Sequence, residues 1–169
     1  RETILFSSCI VQYFLFVSLL TTEGFLLATM AYDRYMVIVN PLLYTVAMTK
    51  IVCIVLAFGS CMGGLINSLT HTIGLVKLSF CGPNVINHFM CDPVPLMMLS
   101  CSEDIIITQL IYSTFNSVFM IGTFLFILCS YALVILAIIR MPSEAGKRKA
   151  FSTCASHLAV VTLFYGSIM

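Results

Sequence analysis

Charge is confined to a few short stretches of this 169-residue chain. No Asp, Glu, Lys or Arg occurs from Thr3 to Thr22, from Ile51 to Leu75, from Ile105 to Ile139, or from Ala150 to Met169. A helix crosses a hydrocarbon core of about 30 Å with about 20 apolar residues, and each run is long enough to do so. Lipid offers the backbone no hydrogen-bond partners, so spanning segments must be helices or closed barrels. The reading is an all-α, polytopic transmembrane bundle forming a single domain over 1–169. Its spans are expected at about 4–33, 51–69, 105–139 and 150–169. Connections fall at about 34–50, 70–104 and 140–149.

Composition agrees: 60% of residues are apolar and 9% charged, against about 25% charged in a soluble domain. A net charge of +1 and the lack of any long like-charge run give no reason to expect nucleic acid. A signal peptide fits poorly, because Arg1-Glu2-Thr3 leads straight into an overlong apolar run. With no initiator Met and with the last run stopping uncapped at Met169, both ends are expected to be cuts in a longer chain.

Orientation follows from the basic residues. Arg34, Lys50, Arg140, Lys147, Arg148 and Lys149 lie on one side, and Arg1 and Lys77 on the other. Short basic loops face the cytoplasm, so the long connection is outside. That connection carries Cys81, Cys91 and Cys101, and Cys9 sits at the outer end of the first span. An oxidising compartment permits disulfides among these four, with three possible pairings. Cys53, Cys61, Cys129 and Cys154 are expected as buried apolar residues.

Polar residues inside the spans are the candidates for function. Gln12, Glu23 and Arg34 recur every eleven residues, about three helical turns, and so share one face expected to look into the bundle. Glu23, near mid-membrane, should be protonated, hydrogen-bonded or paired with a cation. Tyr112, Asn116, Phe119 and Thr123 share a face of the third span and suit a small-molecule pocket, which is mostly apolar with a few orienting polar groups. Gly59, Ser60, Gly63 and Gly64 admit a neighbouring helix closely. His88, Cys91 and Asp92 make a weak metal set. Ser156 and His157 are adjacent, about 100° apart on a helix, with no acid beside them, so no enzyme is expected.

Taken in order, Met30-Ala31-Tyr32-Asp33-Arg34-Tyr35, Asn40-Pro41-Leu42-Leu43-Tyr44, Phe80-Cys81-Gly82-Pro83-Asn84, Asn87-His88-Phe89-Met90-Cys91-Asp92, Ser130-Tyr131 and the run from Lys149 to Leu158 resemble the odorant receptors, a branch of the rhodopsin-like G-protein-coupled receptors. The likeness covers essentially the whole chain. It implies that the spans are helices three to six of seven, with helices one, two and seven outside this chain.

The resemblance implies disulfides Cys9–Cys91 and Cys81–Cys101, and a small-molecule odorant held among Phe16, Val17, Leu20, Thr21, Tyr112, Phe115, Asn116, Phe119, Tyr165 and Ile168. Thr21, Asn116 or Tyr165 would offer a directional hydrogen bond. It implies a cytoplasmic switch of Asp33, Arg34, Tyr35, Leu42 and Tyr131 acting on a heterotrimeric G protein of the stimulatory olfactory type, with cyclic AMP as output. The implied location is the lipid bilayer of the plasma membrane in olfactory sensory neurons. Glu23 resembles the acidic position of an internal sodium or proton site. Met36-Val37-Ile38-Val39 and Cys61 depart from the common pattern but keep its apolar character. Two other readings are a rhodopsin-like receptor for a non-odorant ligand and a transporter or channel fragment. A transporter should show broken helices, and no proline lies inside any of the four spans.

Overall fold

Asn40-Pro41 and Ser143 punctuate the helices where the chain turns. The structure, a computed structural model, describes residues 4–77, 85–86 and 105–168. Its elements in chain order are β1 (Ile4–Leu5), α1 (Phe6–Val39), α2 (Pro41–Ala47), α3 (Lys50–Val76), β2 (Val85–Ile86), α4 (Ile105–Ile139) and α5 (Glu144–Ile168). α1, α3, α4 and α5 are each long and apolar enough to cross a membrane, as the charge-free runs require. β1 and β2 add a two-residue antiparallel ladder, Ile4 opposite Ile86 and Leu5 opposite Val85.

The helix ends differ from the expected boundaries for local reasons. α1 continues past position 33 to Val39, because the break is Pro41, which has no amide hydrogen to donate and fits the first turn of a new helix. That new helix, α2, occupies the middle of the expected 34–50 connection. α3 runs past position 69 to Val76; Thr70 stays helical by donating back to the Ile66 carbonyl at 2.9 Å. α5 starts at Glu144 rather than near 150. Ser143 caps it, its hydroxyl accepting from the Gly146 amide at 3.3 Å, and Glu144 in the first turn suits the helix dipole and pairs with Lys147 at 3.1 Å. The charge boundary there marks the membrane surface, not the helix end.

The chain divides into two compact units, Arg1–Gly24 with Gly59–Ile121, and Phe25–Phe58 with Gly122–Met169. In the first, Ser60, Gly64, Ser68, His71 and Leu75 of α3 are buried, a stripe of helical period that meets Ser18 and Thr21 of α1. The Ser68 hydroxyl donates to the Phe14 carbonyl at 2.5 Å, and Asn67 Nδ2 donates to Thr21 Oγ1 at 2.9 Å. A β-carbon added at Gly64 would lie 2.8 Å from the Ser18 carbonyl oxygen and closer still to Thr22 Oγ1. Gly64 is therefore what permits the close approach of α1 and α3. Gly59, expected to share that role, has nothing within 4 Å of such a carbon, because it points away from the stripe.

In the second unit Leu27, Ala31 and Met36 of α1 are buried, with Ile127, Tyr131, Val134 and Ile138 of α4 and Cys154, Val161, Phe164 and Tyr165 of α5. The three- and four-residue spacings make one inward stripe on α4 and one on α5. Cys154 is buried as expected of an apolar cysteine, but Cys53, Cys61 and Cys129 are exposed free thiols. Their helices turn other faces to the packing stripes, and a thiol on an apolar outer face needs no partner.

Candidate functional site

The second unit gathers the residues of the expected cytoplasmic switch. Tyr131 and His157 are both buried, joined by a hydrogen bond between the phenol and Nδ1 and by stacked rings 5.5 Å apart. Arg34 lies within electrostatic reach of Tyr131, Cys154 and His157. The Tyr131–His157 hydrogen bond ties α4 to α5. His157, set aside at the sequence level as an incomplete catalytic pair, is the residue that reasoning missed. Its signal was the helical register of Cys154, His157 and Val161, all buried on one side of α5.

Asp33 turns to α2. Tyr44 donates its hydroxyl to Asp33 Oδ1 at 3.3 Å, and the Asp33 carboxylate, with burial second, raises the Tyr44 phenol above its ordinary pKa. The contact anchors α2 to α1. At the start of that helix Leu42 is 92% exposed. Tyr35 is half-buried, with its ring 6.4 Å from that of Tyr32.

Eight of the expected ligand residues fall in the first unit. Val17, Leu20, Tyr112 and Phe119 are half-buried, while Phe16, Phe115 and Asn116 are exposed. The Tyr112 ring meets that of His71 at a tilt, with centroids 4.9 Å apart, and covers Gly74, where any β-carbon would run into its ring. Thr21 takes a different part from the directional one expected. It is 4% exposed, its single donor goes to the Val17 carbonyl at 2.8 Å, and it accepts from Asn67. Its hydroxyl fastens α1 to α3. Asn67 Oδ1 and His71 Nε2 are buried there without a hydrogen-bond partner, and neither residue was singled out from sequence. Helical spacing from Ser60 and Gly64 would have found both.

The two remaining ligand residues fall in the second unit. Tyr165 is buried, 2.8 Å from Thr123 Oγ1 through its hydroxyl and between the rings of Phe124 and Phe164 at 5.0 and 5.1 Å. Ile168 is exposed.

The expected polar stripe on α1 lies off the face that packs within this chain. Gln12 and Glu23 are exposed, because the face that α1 packs is that of Ser18, Thr21 and Leu27. Glu23 lies two residues from Thr21, about 200° round the helix. Among the described residues no cluster of three or more acidic or metal-ligating side chains is present. Cys9 is buried and disulfide-bonded. Cys81, Cys91 and Cys101, with the weak metal set His88, Cys91 and Asp92, lie outside the described residues.

Four helices, each long and apolar enough to cross a membrane, define a multi-pass helical membrane protein. A family profile described as olfactory receptor matches residues 1–169. Among curated proteins the chain is 50% identical to olfactory receptor 5J2 of Homo sapiens over 169 residues, all of this chain and 54% of that protein. It is 50% identical to olfactory receptor-like protein COR4 of Gallus gallus, with the same coverage. To olfactory receptor 5AP2 of Mus musculus it is 49% identical over 168 residues, 99% of this chain and 53% of that protein. The chain belongs to the olfactory receptor family, and it spans about half the length of these relatives.

Proposed function

We propose that the full-length protein is an odorant receptor. It binds a small, mostly apolar volatile molecule against Phe16, Val17, Leu20, Tyr112, Phe115, Asn116 and Phe119; Tyr165 and Ile168 are assigned to the ligand by the family resemblance alone. Dispersion and shape dominate such binding, and Asn116, exposed on α4, supplies a directional hydrogen bond in place of Thr21. Agonist binding favours an open arrangement of the cytoplasmic helix ends, a shift of population set by differential affinity. The open ends engage a stimulatory olfactory-type G protein through Arg34 and Leu42, and cyclic AMP rises. The setting is the plasma membrane of olfactory sensory neurons, with Cys9–Cys91 and Cys81–Cys101 holding the outer loop.

The observation that supports this reading is the Tyr131–His157 hydrogen bond between α4 and α5, with Arg34 within electrostatic reach of both residues. An arginine beside a hydrogen bond between two helices can exchange partners when those helices separate. Asp33, held by Tyr44, restrains Arg34 through their shared turn and docks the helix that carries Leu42. The test is a cyclic AMP reporter in cells expressing the full-length receptor, challenged with a panel of volatile alcohols, aldehydes, acids and esters. A concentration-dependent response to some members is expected. A well-expressed receptor that answers no volatile but answers a peptide or amine would overturn the odorant assignment.

A further inference from the structure

The turn between α4 and α5 carries four cations in ten residues, Arg140, Lys147, Arg148 and Lys149. The carboxylates of the second unit do not neutralise them all. Asp33 is hydrogen-bonded by Tyr44, and Glu144 is paired with Lys147. Arg140, Arg148 and Lys149 are exposed and, like Lys50 at the start of α3, have no ion pair among the described residues. These groups are separate from Arg34, which is half-buried and acts on Tyr131 and His157.

Their depth is fixed by the charge-free run that begins at Ala150. The hydrocarbon boundary falls between Lys149 and Ala150, and α5 begins at Glu144, five residues earlier. At ~1.5 Å per residue that is about 7.5 Å, close to the thickness of one headgroup layer in a bilayer of about 40–45 Å with a core of about 30 Å. Arg140 closes α4 just across a short turn, its amide donating to the Leu136 carbonyl at 3.3 Å, so it stands near the level of Glu144. Three free cations therefore lie within the phosphate layer, at the cytoplasmic leaflet that the charge asymmetry selects.

We infer that the α4–α5 turn is a binding surface for anionic phospholipid headgroups, with Arg140, Arg148 and Lys149 as its ligands for the phosphodiester and carboxylate oxygens of phosphatidylserine. Arginine presents a planar donor fork to phosphate, and lysine spreads its stem along the acyl boundary while its ammonium reaches the headgroup. Holding lipid here tethers the junction of α4 and α5, whose relative movement opens the Tyr131–His157 pair. The inference requires only the membrane topology and stands whether or not the ligand is an odorant.

The test uses the full-length receptor in nanodiscs of mixed phosphatidylcholine and phosphatidylserine, with spin-labelled lipids reporting the fraction of each immobilised at the protein. Neither odorant nor G protein is needed. Each free cation near an anionic surface is worth about fivefold in association. We expect a phosphatidylserine preference that falls at least about fivefold in the triple variant Arg140→Gln, Arg148→Gln, Lys149→Gln, and that rises in Glu144→Gln. In wild-type protein about 1 M salt, with a screening length near 3 Å, should abolish most of it, a readout that no folding defect can imitate. A preference unchanged in the triple variant and unchanged by salt would overturn the proposal. So would a triple variant that keeps its lipid preference but loses G-protein nucleotide exchange, because the cations would then face the G protein.

Discussion

Replacing Gly64 by alanine should loosen the first unit in a way that Gly59→Ala does not. The added β-carbon would sit 2.8 Å from the Ser18 carbonyl oxygen, a backbone atom that no rotamer change can move. Ordinary contact begins near 3.4 Å, so α1 and α3 must part by about 0.6 Å at this height. Overpacking of this kind costs about 1–3 kcal/mol. The separation also strains the Ser68–Phe14 and Asn67–Thr21 hydrogen bonds, on the next turn of α3, at roughly 0.6 kcal/mol each in a membrane protein. Better helix propensity returns up to about 1 kcal/mol. The net is a destabilisation of about 2 kcal/mol, on the order of thirtyfold in the folded population. Gly59→Ala meets nothing within 4 Å and should be neutral or slightly stabilising. Thermal unfolding of the detergent-solubilised full-length receptor, followed by thiol accessibility of buried Cys154, compares the two. Equal melting of Gly64→Ala and wild type, or equal damage by both substitutions, would refute the packing argument.

Thr21→Val should destabilise more than Asn67→Leu in the same melt: the first leaves Asn67 Nδ2 buried and unpaired at about 1–3 kcal/mol, whereas the second removes donor and orphaned Oδ1 together. Tyr131→Phe and His157→Phe should each weaken agonist-evoked cyclic AMP, and the double variant should lose less than the sum of the two, as residues sharing one hydrogen bond do; additive losses would count against a joint role. Tyr44 is raised above the ordinary phenol pKa of 10.0, chiefly by Asp33. Its contribution to stability is therefore fully present below about pH 10 and lost as pH rises through the higher folded value. The ultraviolet phenolate step missing from Tyr44→Phe should lie above pH 10, and a step at or below 10 would contradict the Asp33 contact. Leu42→Ala should lower the rate of G-protein nucleotide exchange with little change in melting, since Leu42 is almost wholly exposed.

The four spans were legible because charge cannot be hidden in lipid, so the runs ending at Thr22, Leu75, Ile139 and Met169 marked the helices directly. Their ends were less legible. Lys147, Arg148 and Lys149 are polar yet helical, and hydropathy reports the membrane boundary while capping by Ser143 sets the helix start. The face of each helix was the hardest part. Gln12, Glu23 and Arg34 share a stripe by arithmetic, but arithmetic does not say which stripe packs, and Ser18, Thr21 and Leu27 do. The role of Thr21 changed for the same reason: its neighbour Asn67 comes from another helix, and no local pattern announces that pairing. Asp33, Arg34 and Tyr131 were found as a motif, whereas their partners Tyr44 and His157 needed the fold.

The most direct test of the account is odorant-evoked cyclic AMP in cells expressing the full-length receptor with Arg34→Ala, alongside wild type, with surface receptor measured on the same cells. The response is expected to be abolished while surface expression is retained, because Arg34 is proposed to couple the cytoplasmic helix ends to the G protein. An undiminished response from Arg34→Ala at equal surface level would contradict it.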